Sequence, residues 1–289
     1  MEMTESNSIE TLKAETFKKA KRIVVKIGTN VITKDDGYLH LSRLKSLVSQ
    51  IIYLKNKGYE ILIVTSGAIG AGIAKLGFKE KPTDLVLKQA SAAVGQSALM
   101  HYYEKYFKKY NQHVAQVLLT QDELLDDTKR TNLYNTLAAL LKLNVVPIIN
   151  ENDVVSTYEI LPAEDKENNE NEWLNFSDND TLSAAIAGQL GADLLILLSD
   201  VDGLYDRYPI DAHSKLIEYV DNKQNSTDLE ILANGKNKDG RGGMKLKIKA
   251  AKTAAEKGIA TIIANGRKKD VLIFLINGKQ KCTFFSTSK

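Results

Sequence analysis

EILIVTSGAIGAG, residues 60–72, decides the architecture: an apolar, β-branched run ends in a small-residue turn at Ser66 and Gly67 that opens a helix. A strand with no alternation of polar and apolar residues is one buried on both faces, as in a parallel sheet covered by helices. The same kind of run recurs in RIVVKI from Arg22, VAQVLL from Val114, VVPII from Val145, DLLILLS from Asp193 and IATIIA from Ile259. Between the runs, apolar residues take helical spacing, most clearly over 41–57, 84–108, 121–143 and 244–257. Strands alternating with helices predict an α/β fold, a three-layer α/β/α sandwich with a mainly parallel open sheet.

With 289 residues, 43% of them hydrophobic, the chain buries a full core without disulfides or metal staples. We expect one domain over 21–289, preceded by a flexible tail at 1–20 that mixes Glu2, Glu5, Glu10 and Glu15 with lysines. That tail has no apolar run for a signal peptide or a membrane span and no arginine for a mitochondrial leader, which indicates a cytoplasmic protein. Thirty-nine basic residues against 36 acidic ones, a net +3, leave no electrostatic footprint for nucleic acid. Cys282 is the sole cysteine, which excludes a disulfide framework and the usual zinc spacings and points to a reducing compartment. Residues 163–175, AEDKENNENEWLN, interrupt the pattern as a polar loop insertion; Trp173 fits a local anchor in it better than a docking residue.

In open parallel sheets ligands gather at the carboxyl ends of the strands, so the residues there are the candidates. VVKIGTN sets Lys26 at the end of the first strand and Gly28 in the turn. This suits phosphate oxygens, and it equally suits a lysine snorkelling off a strand. Ser66 and its glycines can present N–H groups to an anion, or can simply allow close packing. The turn matches neither the G-x-G-x-x-G of dinucleotide binders nor the phosphate loop that ends in G-K-[ST]. NENDVVS places Asn150, Glu151, Asn152 and Asp153 at another strand end, where amides and carboxylates suit an amino-acid head or cap a helix.

Further on, SDNDT sets Ser177, Asp178, Asn179 and Asp180 at a helix start, with more carboxylate than one N-cap requires. LLSDVDG brings Ser199 and Asp200 to a strand end, followed by a turn through Asp202 and Gly203. In GRGGMKLKIKAAK the i, i+4, i+7 set Lys245, Lys249 and Lys252 forms a solvated helix face. Lys247 lies about 200° around from Lys245, toward the apolar side, so its charge needs a purpose. The four histidines, His40, His101, His113 and His213, lie outside all of these motifs.

Taken in order, VVKIGTN, VTSGAIGAG, QASAAVGQ, LLTQDEL, VVPIINEND, SDNDTLSA, LLSDVDGLY and GGMKLKIKAA resemble the glutamate 5-kinases of the amino-acid kinase family, from about Arg22 to the end. The resemblance implies that Lys26 and Lys247 straddle a transferred phosphoryl group while Asp180 holds the lysines in register. It implies that Ser66, Asp153 and Asn179 bind L-glutamate. Gly28, Ser199, Asp200 and the run Arg241, Gly242, Gly243, Met244, Lys245, Leu246 and Lys247 match its ATP side. Mg²⁺ enters with ATP, and no protein ligand for it is assigned, since no carboxylate cage stands out.

The resemblance further implies proline as feedback inhibitor and a downstream glutamyl phosphate reductase as pathway partner, while long helices with mixed apolar faces point to a homodimer or tetramer. The chain departs from the family pattern where Arg241 and Leu246 stand in place of threonines, in its longer insertion, and in stopping after CTFF, where many relatives carry an RNA-binding-like PUA domain. A sibling kinase for another acid is the nearest alternative. A non-catalytic glutamate or proline sensor is the second, and the phosphoryl-stabilising lysines argue against it.

Overall fold

The computed structural model describes residues 2–156, 178–207, 210–221 and 243–287. The insertion at 163–175 with Trp173, and Ser177, Arg241 and Gly242, lie outside them. In chain order the elements are α1 (Glu2–Lys19), β1 (Arg22–Ile27), α2 (Thr29–Ile32), α3 (Leu41–Asn56), β2 (Glu60–Thr65), α4 (Ala68–Leu76), α5 (Leu85–Lys108), β3 (Val114–Leu119) and α6 (Gln121–Leu125). Then come α7 (Asp127–Lys142), β4 (Val146–Glu151), α8 (Asn179–Gln189), β5 (Leu194–Ser199), β6 (Tyr219–Val220), α9 (Gly243–Glu256), β7 (Ala260–Asn265), α10 (Val271–Ile276) and β8 (Cys282–Phe285).

The strands form one 8-stranded sheet in the order β3-β4-β2-β1-β5-β7-β8-β6. Its pairs are parallel except β7 with β8. Continuous apolar strands feed two cores through the period-2 alternation of side chains. On β5, Leu194, Ile196 and Leu198 face the layer of α3, α5 and α10, whereas Leu195 and Leu197 face α7, α8 and α9. This is the α/β/α sandwich expected from the sequence.

Two expectations need correction, and one strand was not among those read from the sequence. Residues 1–20 are not a flexible tail over their described length but contain α1, whose Phe17 is 3% exposed in the α3/α5/α10 core. Tyr59 fastens it by donating its hydroxyl to the Phe17 carbonyl at 3.1 Å. The helix expected over 121–143 breaks at Asp126, whose backbone is extended and whose carboxylate accepts from the Lys129 N–H as the N-cap of α7. The terminal CTFF is a buried edge-ward strand, β8, that joins β7 antiparallel.

The turn after β2 needs its glycine, because Gly67 sits at φ 96, a left-handed conformation that L side chains rarely adopt. Beyond it, α4 and α5 cross so closely that a Cβ on Gly95 would stand 1.8 Å from the Ala68 carbonyl oxygen. The crossing presses α5 against the first residue of α4, directly behind the Ser66–Gly67 turn.

Candidate active site

The carboxyl ends of β1 and β5 lie side by side, with Ile27 level with Leu198. A pocket of about 130 Å³ opens there, lined among others by Lys26, Gly28, Asn30, Ser199, Asp200 and Lys247. Gly28 lets the chain hug β5, for its N–H donates to the Leu198 carbonyl at 3.1 Å, and a Cβ would sit 3.0 Å from that oxygen. A larger groove of about 470 Å³ between α4 and α5 includes Lys75 and His101 but none of the paired charges described next.

Asp180 is the centre of the site. It is the second residue of α8, which packs on β1, β2 and α9. Asp178 is the N-cap of α8 and accepts from the N–H groups of Asp180 and Thr181, the plain capping role read from the sequence. The Asp180 carboxylate bridges two lysines, with Lys26 Nζ at 2.7 Å from one oxygen and Lys247 Nζ at 3.0 Å from the other. All three side chains are buried: Lys26 is 8% exposed, Lys247 11% and Asp180 5%. Lys247 turns inward as its place on the helical wheel predicts, while Lys245 faces solvent. Its ammonium also donates to the Gly243 carbonyl at 3.2 Å.

The remaining candidates divide by strand. Ser199 and Asp200 flank the phosphate-sized pocket, Ser199 Oγ donating to Asp200 Oδ1 at 3.2 Å. Met244 and Leu246 are half-buried on α9, Met244 against the α7/α8/α9 core. Ser66 at the end of β2, Asp153 just after β4 and Asn179 at the start of α8 are all buried, at 4%, 6% and 2% exposure. Uncharged and acidic groups thus cluster beyond β2 and β4, and the ammonium pair lies toward β5.

The amino acid kinase family model matches residues 21–265. The chain belongs to the amino acid kinase family. Over 277 residues it is 43% identical to the glutamate 5-kinase of Clostridium tetani (strain Massachusetts / E88), covering 95% of this chain and 98% of that one. It is likewise 43% identical over 265 residues to the glutamate 5-kinase of Clostridium acetobutylicum, covering 91% and 94% of the two chains. Among solved structures, UMP kinase from Ureaplasma parvum superposes with a TM-score of 0.59 at 18% identity, over 93% of this chain and all of that one, a likeness of fold.

The charges of this amino acid kinase are fixed by one another. Burial pushes the Asp180 carboxyl up, but the Lys247 and Lys26 ammoniums outweigh it and hold the group down at about 2. Burial lowers the Lys247 ammonium, and Asp180, the nearest counter-charge, more than restores it, so its pKa lies above the usual lysine value. Burial raises the Asp178 carboxyl and Asp180 adds to the effect, outweighing the opposing pull of the Lys26 ammonium. Asp200 is lowered: burial works against the charge, and the Asn30 amide, donating at 2.9 Å, leads the groups that favour it.

Asn30 and Arg267 are site residues that the sequence reading did not single out. Arg267 Nε donates to the Asn30 carbonyl at 3.0 Å, which places a guanidinium on the rim beside Asp200. The signal was available: Asn30 belongs to the VVKIGTN motif, and Arg267 follows the IATIIA strand in a basic turn at the same sheet edge. Among the described residues no group of three or more His, Cys, Asp or Glu side chains converges as a metal site. No helix among them is long and apolar enough to cross a membrane.

Proposed function

We propose that this amino acid kinase transfers the γ-phosphoryl group of MgATP to the side-chain carboxylate of free L-glutamate, forming L-glutamyl 5-phosphate, the first step of proline biosynthesis. The observation that carries the reading is the buried Lys26–Asp180–Lys247 bridge at the edge of a phosphate-sized pocket, in a chain 43% identical to named glutamate 5-kinases.

A carboxylate acceptor with a pKa near 4.3 is ionised at neutral pH and attacks phosphorus without a general base. What it needs is alignment with the donor and relief of repulsion between two anions. Lys26 and Lys247 supply the positive charge, and Asp180 keeps the two ammoniums apart and aimed. Ser66, Asp153 and Asn179 hold glutamate. Gly28, Ser199, Asp200 and the run from Arg241 through Lys247 hold the nucleotide, whose phosphates carry Mg²⁺ in with the substrate. The same reading includes a cytoplasmic homo-oligomer, inhibition by proline, and a reductase that consumes the labile acyl phosphate.

The test is to incubate purified protein with MgATP and hydroxylamine plus L-glutamate, N-acetyl-L-glutamate, L-aspartate or no acceptor. Hydroxamate from glutamate alone is expected. Product from another acid moves the protein to a sibling kinase, and ADP without hydroxamate overturns acyl phosphate formation.

A further inference from the structure

Two buried amides lie near the candidate glutamate-binding residues beyond β2 and β4 and satisfy each other only in part. Asn150, near the end of β4, is 1% exposed and donates from Nδ2 to Gln96 Oε1 on α5 at 2.9 Å. Gln96 is itself 8% exposed. Its Nε2 and the Asn150 Oδ1 are both shut from solvent and have no hydrogen-bond partner. A buried donor or acceptor left unmet is unfavourable, so a core that keeps one of each invites a ligand with the opposite pair.

Their place in the fold says which ligand. Val64 pairs with Ile149, so Asn150 is level with Thr65, one residue before Ser66, and three residues before Asp153. Gln96 follows Gly95, the residue pressed against Ala68 behind the Ser66–Gly67 turn. By strand alternation Asn150 projects to the α5 side of the sheet, whereas Lys26 projects to the α8 side, where it meets Asp180. The amides therefore serve the end of the acceptor remote from the phosphoryl group, and a free α-amino acid carries there both a cationic donor and an anionic acceptor.

We propose that Gln96 is a positioning residue for the α-amino-acid head of the substrate, acting through Asn150, whose Oδ1 it leaves as an acceptor for the substrate ammonium. This rests on the glutamate kinase reading above. The test is steady-state kinetics of the full chain with Gln96→Met, which withdraws the oxygen that Asn150 donates to, and Gln96→Glu, which keeps an oxygen in that place. Gln96→Met should raise KM for glutamate about tenfold, with kcat and KM for MgATP within about twofold of the parent. Gln96→Glu should bring the glutamate KM back toward the parent value, a rescue that a purely structural role does not predict.

If Gln96→Met does not fold, Gln96→Asn shortens the side chain by one methylene and should raise the glutamate KM in the same way. A parent chain that makes hydroxamate from glutamate while the folded Met or Asn variant keeps its glutamate KM within about twofold overturns the positioning role alone. A parent chain inert toward glutamate overturns the reading beneath it and this proposal with it.

Discussion

The two halves of the strand-end rim solve opposite problems. Beside β1 and β5, the half proposed to take the phosphoryl donor carries full charges that already neutralise one another, Asp180 bridging Lys26 and Lys247 at 2.7 and 3.0 Å. Beside β2 and β4, the half proposed to take the acceptor holds Ser66 and Asp153 together with Asn150 and Gln96, two amides with hydrogen-bonding capacity to spare. Charge that must stabilise a transition state works best when its orientation is fixed before the substrate arrives, because no reorganisation is then needed during the reaction. Recognition of a small zwitterion, by contrast, depends on donors and acceptors that the protein leaves unmet. The donor half is therefore where loss of one group should damage turnover, and the acceptor half where it should damage substrate affinity.

Lys247→Ala and Lys26→Ala should have the largest effects. Each removes a contact worth about 3 to 4 kcal/mol in the transition state, a loss of on the order of 10² to 10³ in kcat. Circular dichroism should show the fold retained, and near-parent turnover in both variants would erase the distinction between the halves. Asp180→Ala should act on stability as well, since it leaves two buried ammoniums facing each other; urea unfolding should show a loss of about 3 to 5 kcal/mol. An unchanged midpoint would mean that the bridge does not hold the donor half together.

The pH profile sharpens the comparison further. The lowered pKa of Asp180 gives stability that is present above the unfolded carboxyl value of 3.8 and lost as pH falls through about 2. The raised pKa of Lys247 gives stability that is present below the unfolded value of 10.5 and lost as pH rises through its folded value. Both groups stay charged across the neutral range, so kcat at saturating substrates should be flat from about pH 6 to 9. A titration near neutrality would require a general acid or base in the mechanism. The smallest effect is expected of Arg267→Ala on the donor rim, a rise of about threefold in KM for MgATP with the glutamate KM unchanged.

The sequence made the sheet legible because its strands are apolar throughout and separated by helical spacing. Asp180 was legible as carboxylate beyond what one N-cap requires and Lys247 as a charge on the apolar side of a helix, whereas the Lys26 motif by itself suited a snorkelling lysine equally well, and its contact with Asp180 decides for the site. Lys247 betrays itself through its angle from Lys245 alone. Helix α1 was obscured by its charges, because the burial of Phe17 depends on Tyr59 and on a core assembled from distant segments. The break at Asp126 hid inside a pattern that stays helical on both sides, since a capping aspartate interrupts a helix without an apolar or glycine signal. Gln96 closes the motif QASAAVGQ, yet its pairing with Asn150 spans 54 positions in sequence and is set by the register of β4 against β2 and by the close crossing of α4 and α5.

The central claim is that the glutamate side-chain carboxylate attacks phosphorus, with the charges beside β5 steadying the transfer. The most direct measurement supplies L-glutamate carrying ¹⁸O in its γ-carboxylate with unlabelled MgATP, cleaves the product with hydroxylamine, and analyses the released phosphate by mass spectrometry. One ¹⁸O in each phosphate released from the product is the predicted result, because the attacking oxygen becomes the bridging oxygen and leaves with phosphorus when hydroxylamine takes the acyl carbon. Phosphate free of ¹⁸O would contradict the account, since phosphorus would then never have been bonded to the glutamate carboxylate.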